Sequence, residues 1–258
     1  MSSRIRTTLA TLALASLATA CLPDLATGPL QVDTLDAALA EVAIPALAYA
    51  SATFSGAGVV TPSIEPARCQ FQDSSQTFIC GQLTGGGLTL DQKFTLLDGV
   101  GGKQAKYDMT STTSLVVHSV VGGTTYREGT KLTVDGQQEL TLSELGTPQH
   151  TLNGSSSTVA TVDPSGQPPI TSTITTRIVD LVIPVVPLSQ PAPWPTSGMI
   201  ELRTTTDLGY VIPLDDTGAS VSTAALNFSG SSTVSLTITD RNGTRTCRID
   251  ITTQPLGC

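Results

Sequence analysis

The sequence predicts an all-β fold: an antiparallel β-sandwich, or an open or half barrel, with one short N-terminal helix. Three observations predict it. Thr is the commonest residue, Ser, Gly and Val are abundant, and only 13% of residues are charged. That balance suits strands joined by tight turns. From Cys69 onward, apolar and polar residues alternate in short runs, the period of a half-buried strand. Turn signals containing glycine punctuate those runs at regular intervals, which points to a sandwich or barrel rather than to βαβ units.

The helix is expected over about 34–43. Asp33 stands as its N-cap, and Asp36 three positions later makes a capping-box variant. Leu35, Leu39 and Val42 share a face. Pro45 disfavours helical geometry at Ile44.

Strands are expected over 69–73, 76–82, 88–98, 104–111, 113–121, 124–134, 138–145, 149–162, 171–183, 198–205, 208–213, 219–228, 231–240 and 244–251. The turns between them fall at Gly85-Gly86-Gly87, Gly101-Gly102, Gly122-Gly123, Asp135-Gly136, Asn153-Gly154 and Asn242-Gly243. A two-residue loop at Asn242-Gly243 sets Ile238 opposite Cys247 and Leu236 opposite Ile249, with apolar partners on one face. At Asp135-Gly136 a three-residue loop is needed to pair Leu132 with Leu140, so a bulged turn is expected there. Residues 183–195 hold five prolines and the one tryptophan, Trp194. No central strand tolerates that density. The stretch reads as a stiff crossing between two blocks of sheet, with Trp194 pinning it to the core.

Cys69 and Cys80 are eleven positions apart, and so are Cys247 and Cys258. A turn centred on Ser74-Ser75 places Cys69 opposite Cys80 and Phe71 opposite Phe78. Directly opposed strand residues lie within disulfide range. Four cysteines allow three connectivities. Cys69–Cys80 and Cys247–Cys258 are the expected pairs, each worth roughly 3 kcal/mol in the entropic view. Zinc is the rival use of clustered cysteines, and neither C-x2-C spacing nor a nearby histidine supports it.

The start of the chain carries an export signal. Arg4 and Arg6 are followed by the apolar run LATLALASL at 9–17 and then by Ala18-Thr19-Ala20. The run is too short for a permanent membrane span. Leu17-Ala18-Thr19-Ala20-Cys21 resembles the lipobox of bacterial lipoproteins. It departs from that pattern in placing Ala18, not leucine, three residues before the cysteine. The resemblance covers only the leader and implies acylation of Cys21. Parity agrees: lipid on Cys21 leaves four of the five cysteines to pair. The resemblance also implies sorting to the outer membrane, because Leu22 rather than aspartate follows the cysteine. The expected organisation is a signal peptide at 1–20, a lipid-anchored tether at 21–32 and a single β domain at 33–258.

The formal net charge is −8, and the leader removes two basic residues. So acidic a mature chain argues against nucleic acid as a partner. Asp216-Thr217-Gly218-Ala219-Ser220 resembles the catalytic loop of aspartic proteases. However, Asp215 precedes it where that family has an apolar residue, and no second copy occurs. Asp215-Asp216 alone is a poor calcium site. His118 alternates with Val116 and Val120 and reads as a hydrogen-bonded sheet residue. His150 stands at the start of a strand. No hydrolase, P-loop, dinucleotide or metal signature is present, so no enzyme activity and no cofactor are expected. The expected function is a non-enzymatic envelope lipoprotein that binds an apolar small molecule or lipid on the concave side of its sheet. The alternative is a structural or adhesive surface domain, with a hydrolase the weakest reading. The expected partner is the membrane, through the anchor.

Overall fold

A computed structural model of the chain describes residues 69–127, 130–163, 169–185, 194–207, 219–240 and 243–250. The strands are β1 (Cys69–Gln72), β2 (Thr77–Cys80), β3 (Leu83–Gly85), β4 (Leu88–Asp98), β5 (Lys103–Gln104), β6 (Thr112–Arg127) and β7 (Thr130–Ser143). They continue as β8 (Gln149–Asp163), β9 (Ile170–Pro184), β10 (Ser197–Asp207), β11 (Ala219–Asn227), β12 (Thr233–Asp240) and β13 (Gly243–Asp250). All thirteen belong to one open antiparallel sheet, ordered β1-β2-β4-β6-β7-β8-β9-β10-β11-β12-β13, with β3 and β5 also paired to β4. The fold is all-β, as expected. The described residues form no helix, and none of their segments is a helix able to cross a membrane. The expected helix at 34–43, the leader, Cys21 and the tether lie outside the described residues.

Register sorts the side chains onto two faces. One row of directly opposed residues starts at Phe71, Phe78, Phe94 and Val117. It continues through Leu140, Gly154 and Ile178. It ends with Ile200, Leu226, Leu236 and Cys247. Every member is apolar except Gly154. A parallel row holds Leu96, Leu115, Leu142, Leu152 and Leu181. These rows make the main core, where Leu152 and Leu226 are fully buried. At the β1 end, Phe71 tilts against Phe78 at 5.1 Å and Phe78 stacks on Phe94 at 4.5 Å. A smaller cluster, Leu132, Val134, Ala160 and Val162, continues the same face toward the far ends of β7 and β8.

The first hairpin forms as its spacing predicts. Cys69 pairs with Cys80 and Phe71 with Phe78, and a disulfide joins the two cysteines. Cys247 is also in disulfide form. Its expected partner, Cys258, lies outside the described residues.

Four expectations need correction. Gly122-Gly123, Asp135-Gly136 and Asn153-Gly154 are not turns; each sits inside a long strand. The β6–β7 hairpin turns instead between Arg127 and Thr130, and this sets Leu132 opposite Thr125 and Leu140 opposite Val117. Gly154 is needed in its strand because a Cβ there would lie 2.3 Å from the Glu139 carbonyl oxygen and 2.7 Å from Leu140 Cδ2. Asn153 serves a bulge: its side chain accepts from the Asp180 backbone N–H at 2.8 Å and donates to the Asp180 carboxylate at 3.1 Å. The β8–β9 register shifts at that point.

The expected strand over 104–111 is only the short β5. The Asp108 carboxylate accepts from the Thr110 N–H at 2.7 Å, the Thr110 hydroxyl at 2.6 Å and the Ser111 N–H at 3.2 Å. Those bonds fold the chain into a turn, and the Thr110 hydroxyl bond leads in holding the Asp108 carboxyl below its ordinary pKa.

The last hairpin is shifted. Asp240 pairs with Gly243, so Leu236 faces Cys247 and Ile238 faces Arg245. The expected faces survive, but the partners change by two residues. The observed register sets Thr237 opposite Thr246 and Thr239 opposite Thr244, and their hydroxyls hydrogen-bond at 3.0 and 2.9 Å.

Finally, the proline-rich stretch at 183–195 is not a crossing between blocks. Ile183 and Pro184 belong to β9, and the strands on either side of the stretch, β9 and β10, pair with each other, so it joins neighbours in the sheet; residues 186–193 lie outside the described residues. Trp194 remains 36% exposed and is not a core pin.

Candidate functional site

The residues one position along from the apolar rows point the other way, because strand side chains alternate. The first of them are Lys93, His118 and Glu139, directly opposed across β4, β6 and β7. Ser155, Arg177 and Glu201 continue the row across β8, β9 and β10. Ala225 and Thr237 carry it through β11 and β12. A neighbouring row holds Val120, Gln137, Ser157, Thr175, Arg203 and Thr223.

These two rows line one continuous groove of about 1040 Å³. A single groove that touches eight successive strands requires the sheet to curl around it. The polar face is therefore the concave one, and the apolar face carries the core. The volume falls at the upper end of the range for ligand clefts, but the lining differs from the usual apolar one. Ser, Thr, Gln and charged side chains predominate.

Two side-chain pairs cross the groove floor. His118 Nδ1 lies 3.1 Å from Glu139 Oε2, and Arg177 Nη1 donates to Glu201 Oε2 at 3.2 Å. All four side chains are more than a third exposed, so each pair contributes about 1 kcal/mol or less to stability. A histidine held by a carboxylate through Nδ1 is half of a hydrolytic arrangement. Among the described residues no serine or threonine hydroxyl hydrogen-bonds to His118, so no nucleophile is set in place.

His118 was expected as a sheet residue, and it stands in β6 with its ring beside the Glu139 carboxylate. His150 stands on the opposite face, in the row that leads into the core, paired with Ile183. Burial pushes its imidazole below the ordinary value, while the Glu144 carboxylate pulls the other way. The two histidines therefore do not meet. Asp215 and Asp216, with the protease-like loop around them, lie outside the described residues. No cluster of three potential metal ligands occurs among the described residues.

Sequence reasoning missed the groove row, although the signal for it was present. The polar positions of β4, β6, β7, β9 and β10 carry Lys93, His118, Glu139, Arg177 and Glu201, a concentration of charge in a chain otherwise rich in Ser and Thr. No protein-family model, curated protein or solved structure matches this chain.

Proposed function

We propose that this chain is an exported envelope lipoprotein, anchored through Cys21 at the outer membrane, that binds an extended hydrophilic ligand without transforming it. One observation carries the binding reading: a groove of about 1040 Å³, lined mostly by Ser, Thr, Gln and charged residues, opens on the concave face while the core lies on the other. The side chains that can recognise a ligand along the two rows are hydroxyls, amides and charges, which suits a hydrophilic one. A chain held at a cell envelope meets polymers of that chemistry. Open strand faces with rigid, directly opposed side chains suit binding to a long molecule laid across the strands.

Two experiments test the proposal. Cells fed labelled palmitate should label the chain, and Cys21→Ser should abolish the label; label retained in that variant overturns the anchor. Ser155 is exposed at the middle of the groove. The full chain should be retained on immobilised total envelope polysaccharide from its host. Ser155→Trp should lose that retention, and Val100→Trp, at a site 94% exposed outside the groove, should keep it. Equal retention of both variants overturns the binding reading.

A further inference from the structure

We infer that the groove takes an anionic ligand, of the class of a polysaccharide carrying spaced carboxylates, with negative groups seated at Lys93 and Arg203. This rests on the groove being a binding surface, as proposed above.

The charge distribution is the first ground. The whole chain has a net charge of −8, with 21 acidic and 13 basic residues. The groove inverts that balance. It is lined by three cations, Lys93, Arg177 and Arg203, against two acids, Glu139 and Glu201. Glu201 is already engaged by Arg177, and the His118 ring lies 3.1 Å from the Glu139 carboxylate. Among the described residues, Lys93 and Arg203 have no carboxylate within salt-bridge distance. Two exposed cations in a concave surface focus a positive field there, against the sign of the molecule.

Spacing is the second ground. Lys93 is on β4 and Arg203 on β10, five strand-to-strand steps apart in the sheet order. At about 4.8 Å per step, this is roughly 24 Å along the sheet. A ligand that follows the groove floor from one cation to the other covers several sugar units. Between the two cations the floor offers the Gln137 amide and the hydroxyls of Ser155, Ser157 and Thr175. Those groups both donate and accept, as sugar hydroxyls require. No aromatic side chain lines the groove among the described residues, so the stacking platform typical of single-stranded nucleic-acid sites is absent. The acidic chain also repels a dense polyanion at long range.

The test is calorimetric titration of the full chain with three probes of similar length: hyaluronan oligosaccharide, neutral dextran and oligothymidylate. Hyaluronan is expected to bind, and to bind more weakly as salt is raised. Lys93→Gln with Arg203→Gln should lower its affinity about tenfold. Both side chains are exposed, and circular dichroism checks that the double variant is folded. Dextran binding as tightly as hyaluronan would overturn the anionic reading and leave the groove standing. An unchanged affinity in the double variant, or tighter binding of oligothymidylate, would also overturn it. Silence from all three probes overturns the inference too, while the groove itself is judged separately by the Ser155→Trp comparison.

Discussion

Gly198→Ala is expected to destabilise the protein by about 3 kcal/mol. Gly198 has φ of 102°, a region that side chains rarely enter. It also faces the bulge at Asp180, where the β9–β10 register shifts. A Cβ at Gly198 would stand 2.4 Å from the Asp180 carbonyl oxygen, 2.5 Å from Leu181 Cα and 2.7 Å from the Asp180 carbonyl carbon. All three are backbone atoms, so no rotamer change relieves the contact. Asp180 itself has a positive φ of 46°, and Asn153 holds it from the other side. The bulge therefore cannot retreat without giving up those bonds. Gly230→Ala is the control. It has φ of 84°, but its nearest neighbour would be 3.8 Å away, so only the dihedral strain remains. Urea unfolding of the two variants gives the comparison. If Gly198→Ala costs no more than Gly230→Ala, the close approach is not what the bulge depends on.

Leu152→Ala should cost about 3–4 kcal/mol, the range for truncating a fully buried leucine. Leu152 has no exposed surface and lies between Leu142 and Leu181 in the core row. Neighbours on both strands lose contacts, and a rigid sheet collapses poorly into the space. Val159 is on the same strand but on the groove face, 39% exposed. Val159→Ala should cost about 1 kcal/mol or less, from the area bookkeeping alone. Equal losses in chemical denaturation would mean that the two faces of the sheet have been assigned the wrong way round.

Much of the fold was legible in the sequence because alternation and cysteine spacing are local. The strand at 88–98 matches β4 end to end, and 149–162 matches β8 to one residue. Cys69–Cys80 followed from a turn of known length. What failed was glycine. Asp135-Gly136 and Asn153-Gly154 carry the composition of a hairpin turn, yet here they let long strands bend and approach closely. Local composition is the same in both uses, and only pairing across the sheet separates them. The last hairpin shows a second limit. A slip of two residues keeps every side chain on its face, so alternation alone did not separate the registers, even though the observed one sets Ile238 opposite Arg245. The threonine pairs favour the observed one. The groove shows a third limit. Alternation assigned Lys93, His118 and Glu139 to a polar face. The direction in which a sheet of this width curls depends on all its strands together, and no single run of residues encodes it.

From β7 to β13 each strand pairs with the strand immediately before it in the chain. No segment in that stretch waits for a distant partner, so contacts close over short stretches of sequence, the arrangement associated with quick folding. A chain of this design can add one hairpin at a time to a growing edge, beginning before its last residues arrive. For a chain exported as proposed above, the part that emerges first can cover its apolar side while the remainder is still in transit, which limits aggregation.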